Sequence, residues 1–245
     1  MQELATVIMA AGKGTRMKSD LPKVLHKINN RPMVHYVIDL AEHLNSTKTV
    51  LIIGHRKELV KEACAELNVE FAVQEPQLGT GHAVQMTEEV LTNHEGAVLV
   101  LSGDVPLLTL ATLRELVDVH QQQSASATLL TSVLEDPSGY GRVMRDTSGA
   151  VYKIVEHKDA NSEELAVDEI NVGIYIFNAP DLFKALRLVK NDNAQGEYYL
   201  PDVISIFIDE NKKVLAVKTD NFDETRGINN IGQLKEAETI LSGRR

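Results

Sequence analysis

The chain has 245 residues, 35 acidic against 25 basic side chains for a formal net charge of −10, and an apolar fraction of 43%. This profile excludes a disordered chain, a collagen-like repeat and a disulfide scaffold, since the single cysteine, Cys64, has no partner within the chain. The acidic balance also argues against a nucleic-acid partner, whose binding depends on a positive field, so any polyanion must find a local basic pocket.

Glu3 and the short run from Leu4 to Ala11 lead straight into glycines, unlike a secretory leader, and no apolar run approaches the roughly 20 residues of a membrane helix. A cytoplasmic protein with no membrane partner is expected. Apolar runs suited to buried strands lie at 4–9, 49–54, 69–73 and 97–104, with amphipathic stretches from Met33 to Leu44, Arg56 to Leu67 and Ala83 to Leu91 between them. That alternation predicts β-α-β-α units whose right-handed crossovers make the strands parallel. Beyond residue 125 the texture is β-rich: SATLLTSVLED, GRVMRD, AVYKIVEH and INVGIYIFN are separated by turn signals at Pro137-Ser138-Gly139 and Ser148-Gly149. A mixed or antiparallel addition to the sheet is predicted there. Helices near 180–190 and 201–210, a strand at VLAVKT and a last helix from about Ile231 to Leu241 complete the chain. No repeat or linker-like tract divides it, so residues 1–245 are expected to form one domain with a lobe.

In a doubly wound sheet ligands sit outside the carboxyl ends of the strands, which makes Ala10-Ala11-Gly12-Lys13-Gly14-Thr15-Arg16-Met17 the first candidate site. Met17 stands where a dinucleotide fingerprint needs its third glycine, and the Walker spacing is absent. Small residues here leave backbone N–H groups able to line a concavity for phosphate oxygens, with Lys13 and Arg16 adding charge. Residues 10–27 hold Lys13, Arg16, Lys18, Lys23 and Lys27 against Asp20 alone, which suggests an anion site; the plainer reading is a surface turn with solvated lysines.

Asp104 follows an apolar strand through Ser102-Gly103, and Val105-Pro106 turns the chain away, so a carboxylate falls at the carboxyl edge of the sheet. Magnesium suits that position, because it takes few protein oxygens and completes its shell with water and phosphate. The alternative, a cap for the helix near Thr109, is weakened because Thr109 can cap for itself. None of the histidines has zinc spacing, and His43 and His120 read as exposed helix residues. Gln74 and Gln77 flank a turn ending in Gly79-Thr80-Gly81 and could offer donor and acceptor to a base, although glutamines beside glycines are usually just a polar loop. Glu156, in the apolar run Ile154-Val155-Glu156, needs a hydrogen-bond partner, either a ligand hydroxyl or a surface lysine, Lys153 or Lys158.

The stretch AAGKGTRMKSDLPKVLHKINNRPM is followed in order by QEPQLGTGHA at 74–83, SGDVPLL at 102–108, GYGRV at 139–143, IVEHKDA at 154–160, EINVGIY at 169–175, GEYY at 196–199 and GINN at 227–230. Together these resemble the sugar-phosphate nucleotidyltransferases, and among them the uridylyltransferase domain of bacterial N-acetylglucosamine-1-phosphate uridylyltransferases. The resemblance implies an α/β, Rossmann-like nucleotidyltransferase fold: a mixed, mostly parallel sheet with helices on both faces and a β-rich sugar-binding lobe. Residues of about 1–125 would hold the nucleotide, about 126–230 the sugar, and 231–245 would form a C-terminal helix. It also implies Arg16 and Lys23 as catalytic cations beside the phosphates, and Ala10, Ala11, Gly12, Lys23, Gln74, Gln77, Gly79 and Thr80 around the nucleotide. Gly141, Glu156, Asn171 and Tyr199, or its neighbour Tyr198, would meet the sugar phosphate, and Asp104 with Asn229 would hold Mg2+.

The reaction implied is in-line attack by a phosphate oxygen of N-acetylglucosamine 1-phosphate on the α-phosphorus of UTP, giving UDP-N-acetylglucosamine, a peptidoglycan precursor, and pyrophosphate. Other nucleotides or sugar 1-phosphates, or a non-catalytic nucleotide-sugar-binding subunit, are the competing readings. Two departures stand out: Ser102 stands where some relatives carry tyrosine or another residue before Gly-Asp, and Pro201 stands where a threonine is common. Pro201 removes a hydroxyl contact but suits the first turn of a helix. Nothing in the chain resembles the hexapeptide repeats of the bifunctional members, so the expectation is a piece of a longer enzyme or a free-standing uridylyltransferase, monomeric or weakly oligomeric.

Overall fold

Aliphatic, β-branched runs form strands most readily where both faces can be covered, and the first of them, β1 (Leu4–Met9), lies inside the sheet of the computed structural model, which describes residues 3–244. Short 3-10 turns at Thr15–Met17 and Lys23–Leu25 follow, then the hairpin β2 (Lys27–Ile28) and β3 (Arg31–Pro32), α1 (Met33–His43) and β4 (Lys48–Ile53). Next come α2 (Lys57–Ala63), β5 (Glu70–Val73), α3 (Thr80–Gln85), β6 (Ala97–Ser102) and α4 (Leu110–Gln122). The second half contributes β7 (Ala127–Val133), β8 (Gly141–Arg145), β9 (Val151–Val155), α5 (Ser162–Leu165) and β10 (Glu169–Asn178). It closes with α6 (Ala179–Leu186), α7 (Asp202–Asp209), β11 (Val214–Lys218), α8 (Phe222–Thr225) and α9 (Ile231–Gly243). Arg245, the last residue of the expected C-terminal helical segment, lies outside the described residues.

Among the described residues the main sheet runs β11-β7-β10-β6-β1-β4-β5, with β8 joined to β10 and β9 to β8. β1, β4, β5 and β6 are parallel, as their helical crossovers require. β10 runs antiparallel to both β6 and β7, and β11 is parallel to β7, so the later strands make the mixed addition expected from their texture. A register shift between Asn171 and Tyr175 divides the labour of β10. Its start pairs with β8 through Ile170↔Arg142 and Asn171↔Gly141, while its end pairs with β6 from Tyr175↔Val100 onward. Because β10 runs against β6, its first residues lie at the rim where β1 and β6 end.

The two faces of the sheet are read directly from residue parity. Ala5, Val7, Val50, Ile52, Val98 and Val100 face a core completed by Leu182 and Phe183 of α6 and Val203, Ile204 and Phe207 of α7. Their neighbours Leu4, Ile8, Leu51, Ile53, Leu99 and Leu101 face the opposite core, with Val34, Val37 and Ile38 of α1, Val60 of α2 and Leu113 and Leu116 of α4. Period-two alternation of apolar residues on both sides is what a doubly covered sheet demands. A third cluster joins Ala237 of α9 to Ile28, Met33, Leu107 and Ile228, so the last helix is seated on the small hairpin. No helix of the described residues is long and apolar enough to cross a membrane.

Three local features differ from the sequence reading. α2 stops at Ala63 rather than Leu67. α3 starts at Thr80, ahead of the expected Ala83, and stops at Gln85, where Thr87 turns its hydroxyl back to the Val84 carbonyl at 2.7 Å. The β2–β3 hairpin was not anticipated; it turns on Asn29 and Asn30 at φ 49° and 64°, left-handed values that asparagine tolerates.

His120 corrects a further expectation. It is 1% exposed, because its spacing from Leu113 and Leu116 puts it on the inward face of α4, and its Nδ1 lies 3.0 Å from Thr128 Oγ1 on β7. Burial lowers its pKa from 6.5 to about 4. The unfolded chain takes up a proton as the pH drops below 6.5 while the native ring resists until about 4, so stability present above 6.5 is lost on the way down to 4. His120→Asn, which keeps a polar atom near Thr128 but cannot titrate, is therefore expected to show a shallower acid-side decline. Urea unfolding at pH 7 and pH 4.5 should give a decline smaller by roughly 2–3 kcal/mol than in the parent. Equal declines would assign the acid sensitivity elsewhere.

Candidate active site

The carboxyl ends of β1, β5 and β6 open onto a cleft of about 340 Å³. All of the residues expected around a nucleotide line it, namely Ala10, Ala11, Gly12, Lys23, Gln74, Gln77, Gly79 and Thr80, and so does Asp104. The Ala10 N–H still donates to the Ile52 carbonyl at 2.8 Å, and beyond it the chain leaves the sheet so that Gly12 is exposed. Both glutamines are held by loop backbone: Gln77 donates to the Ala11 carbonyl, and buried Gln74 donates to the Gly79 carbonyl at 2.8 Å.

The far wall of the cleft comes from the second half of the chain. Tyr198 N–H donates to the Leu78 carbonyl at 2.8 Å, Gly81 N–H to the Tyr198 carbonyl at 2.7 Å, and Leu200 N–H to Thr80 Oγ1 at 3.0 Å. Gly79 permits this lacing, since it holds φ 113° and a methyl group there would lie 2.6 Å from the Tyr198 carbonyl oxygen. Ser102 and Glu197 also line the cleft and were not anticipated.

Cationic side chains converge at the other end. Lys23 forms an ion pair with Asp104, with side chains 19% and 13% exposed, and its Nζ donates to Asn229 Oδ1 at 3.0 Å. Arg16, exposed on the rim, donates to the same Oδ1 at 2.8 Å. Gly14 precedes Arg16's 3-10 turn at φ 61°, where an added methyl would collide with Lys23 Cβ at 2.6 Å. The Ile228 N–H donates to the Asp104 carbonyl at 2.9 Å, which draws the segment around Asn229 onto the end of β6. A carboxylate oxygen and a carboxamide oxygen thus already cradle one cation, the ammonium of Lys23, and both are hard donors of the kind magnesium prefers. Among the described residues no three His, Cys, Asp or Glu side chains form a metal cluster, so a magnesium ion here would draw most of its ligands from water and phosphate. Of the remaining lysines in the basic stretch, Lys13 lines an adjoining groove with His55 and Arg56, while Lys18 and Lys27 are exposed. Thr109 caps α4 by itself, its Oγ1 accepting from Thr112 N–H at 3.3 Å, which leaves Asp104 to the cradle.

Three of the residues expected at the sugar lie together. Gly141 pairs with Asn171, and a methyl group at Gly141 would sit 3.2 Å from Glu156 Oε1. Asn171 is buried and donates to the Tyr175 hydroxyl at 2.6 Å, while its Oδ1 accepts from Gly173 N–H at 3.2 Å. The surface alternative for Glu156 is not adopted: Lys153 pairs with Glu164 at 2.8 Å and Lys158 donates to Gln195 at 2.7 Å. Burial, reinforced by Asp159 and Asp202, pushes the Glu156 carboxyl above its usual range. Burial and Asp159 likewise push Asp202 up to about 6. Tyr199 shares a groove of about 390 Å³ with Glu156, Asp159 and Asp202, its hydroxyl accepting from Gln195 at 2.8 Å, whereas Tyr198 is tied to the loop at Leu78 and Gly81. Pro201 stands immediately before α7 with a helical φ of −55°, its carbonyl accepting from Ile204 N–H at 3.0 Å, so it serves the helix start.

Sequence reasoning missed Asp159 and Asp202 as neighbours of Glu156, and Arg142, a buried guanidinium that donates to the Pro137 carbonyl at 2.7 Å and the Tyr140 carbonyl at 2.5 Å. Arg142 lies within GYGRV, but strand alternation gives no warning that an arginine there turns inward to hold its own turn.

Residues 5–235 match the nucleotidyl transferase family. Bifunctional protein GlmU of Bacillus cereus is 50% identical over 244 residues, covering 100% of this chain and 53% of that protein, and the same values hold for Bifunctional protein GlmU of Bacillus thuringiensis. The chain therefore spans about half the length of these relatives. Among solved structures, UDP-glucose pyrophosphorylase complexed with UDP-glucose aligns with a TM-score of 0.76 at 18% identity, covering 100% of both chains. That likeness concerns the fold, and it agrees with the α/β nucleotidyltransferase architecture expected from the sequence.

The lacing at Gly79 yields a stability test. Gly79→Ala forces a left-handed backbone on alanine and drives its methyl into Tyr198, so the unfolding free energy in urea should fall by about 2–4 kcal/mol. A fall below about 0.5 kcal/mol, the range of an ordinary surface change, would contradict the close approach.

Proposed function

The chain belongs to the nucleotidyl transferase family, and from that premise we propose that it is a uridylyltransferase that makes UDP-N-acetylglucosamine and pyrophosphate from UTP and N-acetylglucosamine 1-phosphate. The observation that supports this most directly is the shared grip of Asp104 and Asn229 on Lys23 at the end of a cleft whose other end is a glutamine-and-glycine loop. A triphosphate lying along the cleft meets donors and cations at one end and a polar loop suited to a base at the other.

No general base is needed, because a sugar 1-phosphate is already an anionic nucleophile at neutral pH. Its phosphate oxygen forms a bond to the α-phosphorus as the bond from the α-phosphorus to the oxygen bridging it to the β-phosphorus breaks, and that oxygen leaves on pyrophosphate with the electron pair. Lys23 and Arg16 exchange their protein oxygens for phosphate oxygens as the nucleotide enters, and so stabilise the charge that develops on the leaving group. Mg2+ held by Asp104 and Asn229 would supply further neutralisation of the triphosphate. Residues of about 1–125 hold the nucleotide, about 126–230 the sugar, and the helix from 231 closes the cation side. The Gly141 backbone, Glu156, Asn171 and Tyr199 orient the sugar so that its phosphate lies in line, which removes much of the entropic barrier.

Arg16→Ala and Asp104→Ala are each expected to slow pyrophosphate release on the order of 10²-fold or more while the melting temperature stays near that of the parent. Glu156→Ala should raise the KM for N-acetylglucosamine 1-phosphate with little change in that for UTP. Assays pairing each of the four nucleoside triphosphates with several sugar 1-phosphates test the substrate assignment: UTP with the N-acetylated sugar should be fastest. Undiminished pyrophosphate release by folded Arg16→Ala and Asp104→Ala would overturn the mechanism, and a different preferred pair would overturn the substrates.

A further inference from the structure

The oxygen of Asn229 is useful in the cradle only if the peptide that carries it is held still. Its side-chain amide is oriented from one end, Nδ2 donating to the Gly227 carbonyl at 3.0 Å while Oδ1 accepts from Lys23 and Arg16. Its backbone is held from α9. The Asn229 N–H donates to Gln233 Oε1 at 2.7 Å, and the Gln233 N–H donates in return to Asn230 Oδ1 at 2.9 Å. This is a reciprocal helix-start clasp displaced by one residue from the usual capping box, so that the reaching glutamine takes the N–H of the residue before the cap. Gln233 itself rides on a helix of thirteen residues, Ile231–Gly243, packed through Ala237 and Leu234 on Ile28, Met33, Leu107 and Ile228. On the far side the Ile228 N–H is fixed to the Asp104 carbonyl at 2.9 Å.

We propose that Gln233 is the positioning residue of the divalent-cation site. It supplies no oxygen to the cradle and does not line the cleft, yet it fixes the peptide from which Asn229 Oδ1 reaches Lys23 and Arg16. The proposal rests on the reading of Asp104 and Asn229 as the magnesium pair. Residues that orient a metal ligand without touching the metal set its affinity by roughly 10- to 100-fold. Gln233 should therefore act on cation affinity rather than on recognition of base or sugar.

The test titrates Mn2+, followed by its EPR signal, into the full chain saturated with UDP-N-acetylglucosamine, and in parallel measures the Mg2+ dependence of pyrophosphate release. Gln233→Ala should weaken Mn2+ binding by about 10-fold and raise the Mg2+ half-saturation equally, leaving the KM for UTP at saturating Mg2+ within about twofold. Gln233→Glu keeps an acceptor oxygen at the same reach and should restore most of the affinity. Glu238→Ala removes a different tie of α9, the carboxylate that accepts from Asn29 N–H at 3.0 Å, and should leave Mn2+ binding unchanged. Should Gln233→Ala fail to fold, Gln233→Asn, one methylene short of the Asn229 N–H, serves the same comparison. If Asn229→Ala weakens Mn2+ binding and Gln233→Ala does not, the positioning role is overturned and the metal pair stands. Equal losses from Gln233→Ala and Glu238→Ala would likewise overturn it, in favour of general helix docking. Unchanged binding in Asn229→Ala would remove the metal pair itself.

Discussion

One ammonium group, that of Lys23, is shared between a carboxylate and a carboxamide, and three separate stretches of chain meet on it. Lys23 comes from the basic segment after β1, Asp104 from the loop after β6, and Asn229 from the turn before α9. An ion pair this sheltered loses much of its hydration, and the attraction offsets that loss only when geometry and further hydrogen bonds are good. Here the further bonds come from Arg16 through Asn229 and from the Ile228 backbone through the Asp104 carbonyl. Lys23 is the shared member: without it Asp104 loses its ion pair, whereas loss of Asp104 or of Asn229 leaves Lys23 the other of the two.

The antiparallel course of β10 places the second half of the chain within reach of this rim. Had β10 followed the direction of β6, Asn171 would lie at the opposite edge of the sheet from Asp104. Its reversal brings Asn171, with Gly141 on β8 and the nearby Glu156, to the edge where β1 and β6 end. The register shift after Asn171 lets one strand serve two neighbours, β8 near the rim and β6 deeper in the sheet. The second half of the chain thereby contributes a set of polar groups beside the first half's cations without needing a separate sheet.

Much of this is legible in the residues. Parity along β1, β4 and β6 announces two covered faces, and the position of Asp104 just past an apolar run announces a carboxylate at a sheet edge. Asn229 carries no such signal, because nothing local in a Gly-Ile-Asn-Asn turn tells which distant strand it will meet; the likeness to a known family supplied it. Glu156 shows a different limit. Two lysines sat within reach by sequence, and their capture by Glu164 and Gln195 depends on packing that no local pattern records. The burial of His120, by contrast, was available from its spacing on α4, and polarity was allowed to outweigh periodicity. The clasp of Gln233 was readable as well, since an asparagine followed three residues later by glutamine is a helix-start signature.

Seating α9 on the β2–β3 hairpin brings the late part of the sequence back onto one of its earliest elements. The parallel strands β1, β4, β5 and β6, whose ends carry the floor of the cleft, all lie before residue 103. Asn229 and its buttress lie more than a hundred residues further along the chain. The carboxamide half of the cradle therefore comes from the late part of this sequence, residues 229–233, while its carboxylate and ammonium come from the first half.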